Sequence, residues 1–164
     1  TRTALKWGVI IGIICTVFGI GIMVAGQLGN KALGYLAFVF VGVGIYLAVN
    51  DFKKENQGFI TYGQGLGLGT MKSAIVGLLA STSSFLYTKF IDPSIPDQTL
   101  KLIVQDLEKK GTPDEQIDQM TEMMKMGLQP GVLFVSGIFM YFFIGFVLSL
   151  IIAAILKKEK PVFE

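Results

Sequence analysis

The sequence contains no histidine, a single cysteine and few charges, with 16% of its residues charged where a globular domain usually carries roughly 25%. Each shortage excludes something. Without His, and with Cys15 alone, the chain has no Cys/His zinc cluster, no Ser-His-Asp or Cys-His nucleophile, no His proton relay and no internal disulfide. The 14 basic and 12 acidic residues nearly cancel, a balance too even to suggest a nucleic-acid binder. What remains is 52% hydrophobic, with a mean hydropathy of +0.61. A soluble fold of this length would expose large apolar patches, so the solvent is mostly lipid and the bilayer is the first partner.

A bilayer core of about 30 Å asks for roughly 20 apolar residues per helix. Four segments meet or approach this, at about residues 7–26, 33–49, 64–88 and 131–156. The first lies in a charge-free interval between Lys6 and Lys31 and starts at Trp7, an interfacial anchor; it is too long for a signal-peptide core and lacks a small-residue cleavage site, so we read it as retained. The last runs from Gly131 to Leu156 without charge or Pro and stops at Lys157 and Lys158. The third carries Lys72 and opens on alternating glycines, which leaves its start open between Tyr62 and Leu66. The expected fold is all-α and polytopic, a single integral membrane domain over residues 1–164. Four spans put both termini on one side, together with Arg2, Lys6, Lys53, Lys54, Lys157, Lys158 and Lys160; the positive-inside rule assigns that side to the cytoplasm.

The stretch between the third and fourth spans is not a plain loop. Leu100, Ile103, Val104 and Leu107 recur at helical spacing, which predicts an amphipathic helix from Asp97 to Lys109. Thr112-Pro113-Asp114-Glu115 then suits a capping box, opening a second helix that carries Ile117, Met120, Met123 and Met124 and ends at Gly127. Residues 97–127 therefore form an amphipathic hairpin, either on the membrane surface or over the mouth of the bundle. Its methionines fit adaptable apolar packing better than copper(I) ligation, with neither His nor Cys beside them. No metal or other cofactor is expected.

Small-xxx-small pairs, Gly8 with Gly12, Gly63 with Gly67 and Gly65 with Gly69, mark candidate helix-packing faces. The glycine run around them is no phosphate loop, since it lacks the Lys-Ser/Thr and the strand. Every acid lies outside the apolar cores, which leaves Lys72 as the intramembrane charge to place. It either snorkels to headgroups, with Asp51 or Glu55 nearby, or faces a cavity and holds an anionic lipid, with the hydroxyl cluster around Ser81 and Ser84 lining the route.

The order and spacing of Asp51-Phe-Lys-Lys-Glu-Asn-Gln-Gly-Phe-Ile-Thr-Tyr-Gly-Gln, Phe90-Ile-Asp-Pro, Pro113-Asp-Glu-Gln-Ile, Gln129-Pro-Gly and Ile151-Ile-Ala-Ala-Ile-Leu-Lys-Lys resemble the four-helix membrane proteins catalogued as domain of unknown function 4199. The resemblance covers nearly the whole chain. It implies an inner-membrane protein of Bacteroidota with this four-span layout, no assigned catalytic residues, and a neighbouring glycosyltransferase of the polyprenol-phosphate sugar synthase kind. The leading expectation is a non-enzymatic accessory or scaffolding subunit with a membrane protein partner or a second copy of itself. The alternative is a carrier or flippase for an anionic lipid or lipid-linked sugar, with Lys72 holding the phosphate and the polyprenol-phosphate glycosyltransferase as partner.

Overall fold

The computed structural model describes residues 2–160, which form six helices: α1 (Arg2–Val24), α2 (Lys31–Glu55), α3 (Tyr62–Phe90), α4 (Ile95–Lys109), α5 (Asp114–Gly127) and α6 (Pro130–Leu156). Helices α1, α2 and α6 are by themselves long and apolar enough to cross a bilayer. α3 is not, because glycines, hydroxyls and Lys72 dilute it. It reaches the same standard only together with α4, from which it is bent by 102°. Its place in the bundle supplies what its composition withholds.

Along α3, the small residues Gly65, Gly69, Ser73, Gly77 and Ser81 recur every fourth position, and they meet Ala153, Ser149, Gly145, Tyr141 and Gly137 in reverse order along α6. This antiparallel zipper keeps the two helices side by side over most of their length. α1 lies against the neighbouring face of α3, running parallel to it. Gly8 packs on Ile75, Gly12 on Leu79, and Thr16 Oγ1 donates to Ser83 Oγ at 3.5 Å. α3 therefore crosses the slab that α1 and α6 cross, and with α2 antiparallel to α1 the result is an up-down-up-down bundle of four membrane-spanning helices. Where glycine replaces larger side chains, the axes close in, and dispersion contacts between backbones hold helices that lipid does not push together.

The bundle is tight at the end bearing the chain termini and looser at the other. The buried residues of α1, α2 and α6 run from that end to about the helix middles, from Thr3 to Cys15, Val41 to Val49 and Gly145 to Ala153. The terminal end is also laced by polar bonds. Asp51 accepts from Lys6 Nζ at 2.8 Å and from Trp7 Nε1 at 2.9 Å, Thr3 Oγ1 donates to Glu55 at 2.8 Å, and Lys53 Nζ donates to the Leu156 carbonyl at 3.1 Å. Ile60 and Lys158 exchange two backbone hydrogen bonds of 2.9 Å, tying the chain after α6 to the α2–α3 turn.

Helix ends differ from the hydropathy boundaries. α2 continues past Asn50 and Asp51 to Glu55, since Asp51 is satisfied by Lys6 and Trp7 at the interface. The capping box expected at Thr112 does not form: Pro113 is itself the N-cap, in an extended conformation with no side-chain cap bond. One forms instead at α3, where Thr61 and Gln64 cap each other's backbone N–H groups, and this fixes the start of α3 at Tyr62. The amphipathic hairpin folds over the open end of the bundle. α4 lays Leu102 against Gly29 in the α1–α2 turn, Lys31 Nζ reaches Asp106 at 3.2 Å, and Ile95 and Ile117 are buried beneath the hairpin. Met123 and Met126 point outward, 73% and 65% exposed.

Candidate functional site

Lys72 is wholly buried, at 0% exposure. Its Nζ donates to the carbonyl of Val41 at 2.9 Å, across from α3 to α2. Val41 is central in the apolar stretch of α2, and the neighbouring Ser73 meets Gly145, central in α6. The amine thus lies near the middle of the slab. Gly44 makes room for it: a Cβ there would stand 2.6 Å from Nζ and about as close to Ile11. Among the described residues no carboxylate lies within ion-pair distance of it. Asp51 is engaged by Lys6 and Trp7, and Glu55 by Thr3. The snorkelling expectation is therefore overturned, because the start of α3 at Tyr62 sets Lys72 too deep and its side chain turns toward α2. Nor is Lys72 among the residues that line the two cavities described below.

Ser73, at the same level, is fully buried with no hydrogen-bond partner for its Oγ, whereas Ser149 donates back to the Gly145 carbonyl at 2.5 Å. Both are small residues of the α3–α6 seam.

The hydroxyl cluster divides in two. Ser83 donates to the Leu79 carbonyl of its own helix at 2.9 Å. Ser81, Ser84 and Thr88 instead line a cavity of about 260 Å³ at the hairpin end, together with Tyr141 of α6 and Thr99 of α4. Its walls are α1, α3 and α6, with Cys15, Ala80 and Phe134 among them, and its roof is Ile95 of α4 with Leu128 of the α5–α6 turn and Pro130 at the start of α6. Among the described residues, no charged one lines it. Thr99 and Tyr141 escape a reading of the sequence, since they sit on other elements and share no local pattern with Ser81.

The glycine pairs also divide. Gly8, Gly12, Gly65 and Gly69 lie at helix contacts, and a Cβ at any of them would come within about 3 Å of Ile75, Leu79, Ala153 or Ser149. Gly63 and Gly67 have nothing within 4 Å of such a Cβ, so no helix of this chain packs on them. They border a shallow groove of about 310 Å³ with Ala4, Phe52, Leu68 and Met71.

A family model described as a protein of unknown function, DUF4199, matches residues 6–158. No curated protein and no solved structure matches the chain.

Proposed function

Since the chain belongs to the family described as a protein of unknown function, DUF4199, we propose from its own geometry that it is a non-enzymatic accessory or scaffolding subunit of a membrane assembly. The observation that carries this reading is the divided glycine register of α3. Gly65 and Gly69 are filled by α6, while Gly63 and Gly67 offer the same small-xxx-small spacing outward beside the groove of Ala4, Phe52 and Met71. A transmembrane helix of a partner, or of a second copy, gains close backbone approach there. Residence in the bacterial inner membrane with both termini cytoplasmic belongs to the same proposal, supported by the basic residues gathered at the terminal end.

The test is purification from native membranes in mild detergent. A stoichiometric partner or a defined homo-oligomer, lost on Gly67→Leu while the bundle stays folded, is the expected result. A solitary monomer, or an assembly indifferent to Gly67→Leu, overturns it. The carrier reading gains less from the geometry, because Lys72 is sealed under α2 and its amine bonds Val41; α2 has to lift away before a phosphate reaches it.

A further inference from the structure

We propose that the cavity under the hairpin binds an uncharged single-chain amphiphile, with a hydroxyl or carbonyl head held by Ser81, Ser84 and Thr88. Three observations converge on this chemistry. Ser81 and Thr88 are 6% and 4% exposed, line the cavity, and make no side-chain hydrogen bond to protein among the described residues. Helical Ser and Thr in apolar surroundings ordinarily bond back to their own helix, as Thr70, Ser83, Thr99 and Thr121 do here, so hydroxyls left open to a cavity are acceptors and donors in search of a partner. The remaining wall is apolar, supplied by Met23, Ala80, Phe85, Leu133 and Phe134, which suits a hydrocarbon chain.

Charge and size narrow the class. With no Lys, Arg, Asp or Glu on the lining, an anionic headgroup would leave its charge unpaired in a low-dielectric site. At about 260 Å³ the cavity falls just below the ~300–1,000 Å³ of pockets for drug-sized ligands, which admits one chain and excludes a two-chain phospholipid. The roof of Ile95, Leu128 and Pro130 shields the chain from water on the hairpin side. This site lies at the opposite end of α3 from Gly63 and Gly67, so it stands or falls separately from association through them.

The experiment uses the full chain in nanodiscs and a diazirine-bearing medium-chain alcohol, with peptide mapping after photolysis. Labelling of the segments around Ser81–Thr88 and Leu133–Tyr141 is expected, competed by the unlabelled alcohol and not by the matched fatty acid at neutral pH. Gly19→Leu adds a side chain from α1 into the cavity, where a Cβ meets nothing within 4 Å, and abolishes the labelling. Ser81→Ala with Thr88→Val weakens the alcohol about tenfold and leaves the matched alkane unchanged. Should Gly19→Leu fail to fold on size exclusion, the hydroxyl pair decides alone. Labelling confined to lipid-facing positions such as Phe139 and Phe143, equal competition by the fatty acid, or indifference to the hydroxyl substitutions overturns the proposal.

Discussion

Lys72 Nζ and the Val41 carbonyl oxygen, 2.9 Å apart, join α3 to α2 near the middle of the membrane slab without a carboxylate between them. The carbonyl already belongs to a helix, so the amine adds a second bond to it rather than completing an unsatisfied group. Interhelical hydrogen bonds in membrane proteins contribute about 0.6 to 2 kcal/mol each, while holding a cation unpaired in hydrocarbon costs several. Lys72→Met keeps most of the length of the side chain and removes both terms. The expected outcome is a stability unchanged or raised by about 1 kcal/mol, whereas Lys72→Ala, which empties the space beside Ile11 and Gly44, loses about 2–5 kcal/mol. Unfolding in mixed micelles measures both. A Met variant as unstable as the Ala variant refutes this assignment and makes the amine itself the staple.

Gly77 lies in the α3–α6 seam. A Cβ there would lie 2.8 Å from Tyr141 Cβ and 3.1 Å from the Ile138 carbonyl oxygen, and backbone does not yield as a side-chain tip does. Gly77→Ala is expected to lower stability by about 1–3 kcal/mol through overpacking. Ser73→Ala, in the same seam, removes a buried hydroxyl that has no partner and is expected to be neutral or to stabilise by up to about 1 kcal/mol. The opposite signs of two changes one turn apart, read in the same unfolding assay, check the register of the zipper.

Much of this bundle is legible from hydropathy, because α1, α2 and α6 are apolar throughout their middles. The helix ends are less so: Asp51 reads as a terminus, yet Lys6 and Trp7 allow α2 to carry it onward. Spacing alone cannot separate Gly63 with Gly67 from Gly65 with Gly69, since both are four apart. Residues two apart on a helix point about 200° away from each other, so one pair meets α6 and the other faces outward. That choice belongs to the packing of α6. The orientation of Lys72 is hidden for a related reason, since Gly44 on a different helix opens the space it enters. Ser81 and Ser84 stand out as a local run of hydroxyls, whereas the cavity that gives them meaning is assembled from four further elements.

Asp106 is held below the usual carboxylate range by hydrogen bonds from Lys110 and then Lys31, the second of which ties α4 to the start of α2. A depressed folded pKa means that the tie contributes above the unfolded carboxylate value of about 3.9 and is lost as pH falls through the lower folded value. The protection of α4 amides, with intrinsic exchange rates divided out, is therefore expected to fall below about pH 4. Asp106→Asn should show the faster exchange already at neutral pH, with the acid-dependent step reduced. Because all three side chains are well exposed, salt near 1 M should mimic the substitution in part. Exchange in α4 that ignores both pH and the Asp106→Asn substitution would show the hairpin to be held by Ile95 and Leu102 alone.

The position of α3 alongside α1 and α6 makes a topological demand that composition does not. If α3 crosses with them, the number of crossings is even, so the hairpin and the residues after α6 lie in different compartments while Arg2 and Lys160 share one. Replacing Cys15 by Ala leaves a background for single cysteines at Met123, which is 73% exposed on the hairpin, and at Lys160. Membrane-impermeant maleimide applied to sealed vesicles is expected to modify the cysteine of Met123→Cys from one side only, and that of Lys160→Cys from the opposite side only. A third cysteine at Arg2 should follow Lys160. Labelling of Arg2→Cys and Lys160→Cys from opposite sides would mean that α3 turns back within the membrane at its 102° bend with α4, and the zipper between α3 and α6 would then have to be abandoned as a transmembrane contact.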